Sequence, residues 1–454
     1  MKERINPKSK IPNPNNVLII IFALMMMANA AMAQTYNLTD CVNIAISHNQ
    51  SVIDAQEKVN ASNAKLGEST SNFFPKLSLN ASKGFNYSEP MSIILPQSMG
   101  GGSFTTGPNE ASNVASYSFN VQQTLFAGGR VIMGWQIANV AYQAQKEDLR
   151  RVMNETHLSV TSAFFDLLKA QKGLEIIKSS ISNMKRNVEQ TQVFYDSGIG
   201  SNIDLLRAKT QLANLEIVRI SAENGVQLAK LALENTLGQK LPADYKIEEP
   251  EINSDNLFNV TQEEALNLAY ANRPEWREFN FAMDIAGKAL NLSYGGFLPN
   301  IAYAYSYGRT KLEYPTATTN NSDLSNWKSM LVASWSLFDG FLTVSQIREG
   351  RANYNSAVAQ QQNIKNAIEL DVNSAYLNLK SAGEKIKASQ TAADLAGRTL
   401  RTVEVSYKAN IATEQNYLDS HTANQSAQLN LSSSRYDYEV AKAKLNKAIG
   451  KKII

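Results

Sequence analysis

"YDSGIGSNIDLL" spans residues 195–206 and breaks what otherwise reads as one very long helix. Two glycines and small polar residues stop the helix, and Ser201 with Asp204 restarts it. Serine caps the new helix, and an acid at its third position favours the helix dipole. The chain on either side carries heptads. Upstream, Leu167, Leu174, Ile181, Val188 and Tyr195 fall seven apart, with Ala170, Ile177, Met184 and Thr191 as a second row. Downstream, Leu205, Leu212, Leu215, Val218, Val226 and Leu233 continue an apolar stripe. Two such helices joined by a tight link become antiparallel neighbours in a coiled coil.

The break occurs twice. "YKANIATEQNYL" at 407–418 repeats it at an offset of 212, and so do "VTSAFFDLLKA" (160–170) against "VNSAYLNLKSA" (372–382) and "LFAGG" (125–129) against "LFDGF" (337–341). Nearer the start, "NIAISHNQS" (43–51) matches "NLAYANRPE" (267–275) and "FFPKL" (73–77) matches "FLPNI" (297–301), at an offset of 224. A single change of offset between Pro75 and Leu125 marks a twelve-residue insertion in the first copy, as a surface loop tolerates.

The repeat predicts the domains. The first copy is 34–238, with strands at about 76–88 and 114–126 and helices at about 131–194 and 202–237. A linker covers 239–258. The second copy is 259–450, with strands at about 300–308 and 327–338 and helices at about 343–406 and 413–449, before a tail at 451–454. Thr39 and Thr261 are the expected caps of the opening helices, and Thr261 with Glu264 forms a capping box. Each opening helix is expected to end before Pro75 or Pro299. A 64-residue helix reaches about 96 Å.

A soluble coiled-coil stalk would also use such helices, but the segments between them alternate with period two. "ASYSFNVQQTLF" (115–126) sets Ala115, Tyr117, Phe119 and Val121 against Ser116, Ser118, Asn120 and Gln122. "KLSLNASKGFNYS" (76–88) gathers Leu77, Leu79, Ala81, Phe85 and Tyr87, and "WKSMLVASWSLF" (327–338) gathers Trp327, Leu331, Ala333, Trp335 and Leu337. Such strands suit a membrane barrel, although a β-sandwich alternates too. Trp327 and Trp335 lie about 26 Å apart along a strand, near 20 Å in height after tilt, which approximates the spacing of two aromatic girdles. Phe85, Tyr87, Tyr117, Phe119, Trp327 and Trp335 are the candidate girdle residues. In lipid, four strands cannot close a barrel, and open edges leave backbone groups unpaired. Three chains would supply twelve strands.

The first 33 residues read as a signal peptide: Lys2, Arg4, Lys8 and Lys10, the apolar "VLIIIFALMMMANA" (17–30), and Ala31-Met32-Ala33 before the expected cut at Gln34. An uncleaved anchor is the alternative. This segment carries four positive charges and one negative, a net of +3, equal to the +3 of the whole chain; the remainder is neutral. Charge therefore points to no nucleic-acid partner. The single cysteine, Cys41, forms no internal disulfide and does not follow the cleavage site as a lipidated cysteine would. No apolar run of eighteen residues follows Gln34, so a membrane role must use strands. His48, His157 and His421 lack metal-ligand spacing, and "GGG" at 100–102 lacks the following Lys and Ser/Thr of a phosphate loop. The sequence points to no enzyme, metal or cofactor.

At this point the chain resembles the TolC-type outer-membrane efflux proteins. The resemblance rests on Phe74-Pro75 and Leu298-Pro299, "LFAGGR" and "LFDGF", "NRPE" at 272–275, and the two breaks with a downstream acid. It implies a mostly α fold with membrane β strands: a duplicated unit of long antiparallel coiled-coil helices plus a two-strand hairpin. Three copies would form a twelve-stranded outer-membrane β-barrel on a periplasmic α-helical barrel. It implies an exit duct for efflux or secretion, a homotrimer in outer-membrane lipid, a periplasmic adaptor, and an inner-membrane pump of RND or ABC type. The loops 89–113 and 309–326 would face outside. By the family pattern, Asp204 and Tyr407 hold the tip closed, and Asn416 and Asp419 line the constriction. The same pattern makes Gly198, Ile199, Gly200, Ser201, Asn410, Ile411 and Thr413 the adaptor-docking tip. Some family members place an arginine two residues after the second break's turn residue; here Ala412 stands there, so a salt bridge through it is absent. A structural coiled coil and a diffusion porin are the alternative functions.

Overall fold

A computed structural model describes residues 35–87, 89–106, 111–242, 244–250, 260–314 and 321–451. The expected signal peptide lies outside them, as do parts of the linker, of both expected loops and of the tail. The described residues fall into two compact units, divided after Ile53, Val152, Asn267 and Asp371.

The unit built from 54–152 and 268–371 holds the sheet. Its strands are β2 (Lys76–Asn86), β5 (Ser112–Ala127), β7 (Asn300–Glu313) and β8 (Ser322–Ser334), antiparallel in that order. β2 with β5 is the hairpin of the first copy, β7 with β8 that of the second, and β5 pairs with β7 to join them. The register settles what each face carries. Leu79, Phe119, Tyr307 and Trp327 form one row across all four strands. The next row, on the opposite face, is Asn80, Ser118, Gly308 and Asn326, and beside it run Ser78, Asn120, Ser306 and Lys328. Across these rows the period-two alternation gives one apolar and one polar face, although in β8 Leu324, Met330 and Val332 fall on the polar side. β2 and β8 each have a neighbour on one side only among the described residues.

The fourth strand differs from its expected span of 327–338. It begins five residues earlier, because β7 runs on to Glu313 and pairs Leu312 with Ser322. It ends at Ser334 because the following residues are committed to a helix start. Asp339 accepts from the backbone and hydroxyl of Thr343, while Gly340 and Phe341 take left-handed φ of 66° each. The matching Gly128 in the first copy shows why glycine stands there: its φ is +61°, and an added Cβ would lie 2.4 Å from the Gly295 carbonyl oxygen. The expected outer loop 89–113 also contains a hairpin of β3 (Met91–Leu95) and β4 (Gly102–Thr106).

The opening helices are each two helices rather than one: α1 (Leu38–His48) and α2 (Gln50–Ser71), then α5 (Gln262–Asn272) and α6 (Pro274–Tyr294). Pro274 forces Arg273 into an extended conformation, ψ 128°, and Asn49 takes ψ 126° at the matching place. This explains "NRPE". Pro274 opens α6, and the buried Arg273 guanidinium pairs with Asp371 at 2.8 Å and Glu275 at 3.2 Å. Thr261 and Glu264 form their capping box, whereas Asn37 rather than Thr39 caps α1, boxed with Asp40.

The other unit is a helical core. α3 (Arg130–Asp196) and α7 (Leu342–Lys408), each of 67 residues or about 100 Å, pass through both units. α4 (Asn202–Leu237) and α8 (Glu414–Ala448) follow the two breaks. Phe164, Leu167, Leu233, Leu237 and Cys41 are fully buried together. The linker contributes as well: β6 (Lys246–Ile247) pairs in parallel with β1 (Thr35–Tyr36), and Tyr245 meets Tyr36 edge to face. Along α3 the heptad rows are buried or half-buried through Thr191. Tyr195, expected on the seam, is instead 43% exposed, and so is Val218 on α4.

Candidate functional site

The two breaks fold into the same turn. In the first, Gly198 takes φ +75°, its N–H donates to Tyr195 O, and both Ile199 and Gly200 donate to Phe194 O at 3.1 and 2.9 Å. In the second, Asn410 takes φ +60°, its N–H donates to Tyr407 O, and Ile411 and Ala412 donate to Ser406 O at 2.8 and 3.2 Å. Asparagine is a side chain that adopts this left-handed region, so the turn survives without glycine. Each turn ends in a hydroxyl cap. Ser201 Oγ accepts from Ile203 N, and Thr413 Oγ1 accepts from Asn416 N.

Their side chains diverge. Around the first turn Tyr195, Ile199, Ile203 and Leu206 are exposed, and Asp204 makes an exposed 3.8 Å ion pair with Arg207. Around the second, Tyr407 is 6% exposed and Glu414 only 2%. The Tyr407 ring lies between Phe194 (5.7 Å) and Tyr417 (5.5 Å), and Tyr417 in turn stacks near His421 (6.1 Å). The Tyr407 hydroxyl is 2.9 Å from Thr191 Oγ1 and also hydrogen-bonds Glu414. Glu414 Oε1 accepts from Asn187 Nδ2 at 2.6 Å, and Oε2 lies 3.5 Å from Thr191 Oγ1.

Burial dominates the protonation of this cluster. It raises the Glu414 carboxyl above the usual carboxylate range, aided by the negative Asp204 and opposed by its hydrogen bonds to Tyr407, Asn187 and Thr191. It likewise raises Tyr407, pushes Tyr417 up to about 12 and lowers His421, so His421 is neutral at pH 7. Beside the cluster lies a cavity of about 350 Å³, lined by Arg186, Gln190, Glu404, Lys408 and His421 among others.

Of the four expected gate residues, Tyr407 sits in this cluster. Asp204 lies close enough to act on it by charge but does not hydrogen-bond Tyr407. Asn416 and Asp419 share an exposed face of α8, three residues apart. Asn416 Oδ1 accepts from Thr413, and Asp419 Oδ1 accepts from Gln415 at 2.8 Å. Asp419 also lines a groove with Ile203, Leu206 and Arg207. Glu414, Asn187 and Thr191 were not singled out as site residues. Asn187 carried one signal, a polar residue beside an apolar seam. Glu414 carried none, because an acid that opens a helix reads as a surface residue, and its counterpart one repeat earlier is Asn202.

In the other unit, the apolar face of the sheet carries Leu79, Tyr117, Phe119, Tyr303, Tyr307 and Trp327, all exposed, Trp327 by 67%. Phe85 falls on the same alternation, at the end of β2, and Tyr87 lies just past the strand. Trp335 lies beyond β8, and its indole N–H donates to Phe297 O at 3.0 Å. The two tryptophans therefore do not mark two heights on one strand. Among the described residues no helix is long and apolar enough to cross a membrane, and no group of three His, Cys, Asp or Glu could hold a metal ion.

A sheet that is apolar on one face and polar on the other, in a chain with two matching helices of about 100 Å, marks an outer-membrane channel protein. The chain belongs to the outer membrane efflux protein family, whose profile matches residues 41–239 and 265–451. It is 22% identical over 442 residues to outer membrane protein TolC of Vibrio cholerae, covering 95% of this chain and 94% of that one. It is 23% identical over 300 residues to the alkaline protease secretion protein AprF of Pseudomonas aeruginosa, covering 66% and 62%. In fold it resembles the outer membrane protein VceC of Vibrio cholerae, with a TM-score of 0.75 at 17% identity over 91% of this chain and 96% of that one. The protein is an outer-membrane efflux channel protein, and its setting is the outer membrane and the periplasm below it.

Proposed function

We propose that three copies of this chain assemble into one duct that receives cargo from an inner-membrane pump through a periplasmic adaptor and releases it outside. The open four-stranded sheet carries this reading. Its apolar face suits lipid, and its polar face suits a water-filled lumen. Its two edges, β2 and β8, would each strand a row of N–H and C=O groups in hydrocarbon at several kcal/mol per group. Joining β8 of one copy to β2 of the next removes every edge, and three copies give twelve strands. The helical unit supports the same assembly: Ile217, Ile220, Leu228 and Leu231 of α4 are exposed along one stripe, as a face awaiting a neighbour would be.

In this duct Phe85, Tyr87, Tyr117, Phe119, Trp327 and Trp335 contact the lipid and its interfaces. The two turns of each chain form the periplasmic tip, where Gly198, Ile199, Gly200, Ser201, Asn410, Ile411 and Thr413 meet the adaptor. Tyr407 and Asp204 hold the tip closed, and Asn416 and Asp419 ring its narrowest part. Cargo is small molecules such as drugs and toxic compounds, or polypeptides, supplied by an RND or ABC pump. The mass of the detergent-solubilised protein is the first test: three times that of the mature chain is expected, and a monomer would overturn the duct.

A further inference from the structure

We propose that Glu414 is the latch of the closed tip and that it holds the tip while carrying a proton, so that closing takes a proton up and opening releases it to water. This rests on the reading of the tip as a gate. Glu414 is the first residue of α8, where the helix dipole favours a charged acid in water. Here the side chain instead turns inward, is 2% exposed, and reaches Asn187 and Thr191 of α3 and Tyr407 of α7. It thus ties three helices together at the level of the turn.

The cations on the neighbouring helices have other partners. From α3, Arg186 is bonded to Asn183; from α7, Lys408 pairs with Glu404 at 2.8 Å; from α4, Arg207 pairs with Asp204. From α8 itself come Tyr417 and His421, both uncharged at pH 7. Asp204, in the first turn of α4, acts on Glu414 by charge and is repulsive. Among the described residues no lysine or arginine pairs with Glu414. A buried carboxyl with donors but no cation is held most cheaply as the neutral acid.

The sign follows. Burial lifts the acid above its exposed value, so the closed tip is firmest in acid and weakens as the pH rises through that lifted value, where a bare carboxylate would be left buried. One proton limits the effect to about tenfold in the open-to-closed ratio per pH unit. The experiment records spontaneous opening of the purified full-length assembly in planar bilayers across a pH series that brackets the lifted carboxyl, from its acid to its alkaline side. Opening is expected to rise several-fold with pH. Glu414→Gln, a neutral amide of the same shape, should stay closed on both sides, and Glu414→Asp, which still titrates, should keep the slope. His421→Gln should also keep it, since His421 is not the titrating group. An unchanged slope in Glu414→Gln would overturn the latch, and so would a flat wild type. Tyr407→Phe separates the two readings: if it raises opening while Glu414→Gln leaves the slope intact, the gate stands without the latch. If Tyr407→Phe changes nothing, the gate fails and the latch with it.

Discussion

The turns at 195–206 and 407–418 share a backbone and almost nothing else. Hydrogen bonds, left-handed residue and hydroxyl cap recur at an offset of 212 residues. Yet Tyr195 is 43% exposed and Tyr407 6%, Asn202 is exposed and Glu414 buried, and Arg207 stands where the second copy has Asp419. Duplication supplied the turn twice. Their side chains then diverged, one copy keeping an exposed apolar surface and the other burying a polar cluster. The proposed threefold assembly would place six turns around its mouth, alternating between an exposed apolar surface and a buried polar cluster.

Matched substitutions probe that division, and the tyrosines should differ most. Tyr407→Ala removes a ring packed against Phe194 and Tyr417 and leaves Glu414 short of a donor, at a cost of about 3–5 kcal/mol. Tyr195→Ala should stay within about 0.5 kcal/mol. Thermal unfolding of the two variants measures the contrast, and equal losses would break it. The turn residues should behave alike. Gly198→Ala and Asn410→Ala both place a side chain without a local hydrogen bond in the left-handed region, each costing about 1–2 kcal/mol. A large difference between them would mean that the two turns are not one geometry. The smallest effect concerns ions. Asp419→Ala should weaken cation selectivity in single-channel recordings, while Arg207→Ala should not. Unchanged selectivity in Asp419→Ala would remove that residue from the constriction.

Much of this fold could be read from the chain because its repeat is long and its periods are strict. The heptads of α3 and the alternation of β5 each leave only one face to bury, and the offset of 212 fixes the second copy once the first is read. What escaped was decided by contacts across the fold. β8 slid to 322–334 because its partner strand was longer than expected and because Asp339 belongs to a helix cap. Trp335 thereby left the strand on which it had been counted. Asn49 and Arg273 split helices that looked continuous, the latter through a guanidinium whose partner Asp371 is 98 residues away. At the tip, Tyr407 was legible and its surroundings were not. An acid at the start of a helix reads as a surface cap, and only the approach of Asn187, 227 residues distant in sequence, draws Glu414 inward.

In the proposed duct this sheet is one third of a closed barrel. Cysteines placed singly along the β2 edge, at Leu79 or Ala81, and along the β8 edge, at Ser325 or Trp327, test it when paired in one chain and oxidised in outer-membrane vesicles. Cys41, buried in the helical core, does not compete. A covalent ladder that stops at three chains is predicted for at least one pairing. Absence of any intermolecular bond, or a ladder that runs past three, would contradict the account.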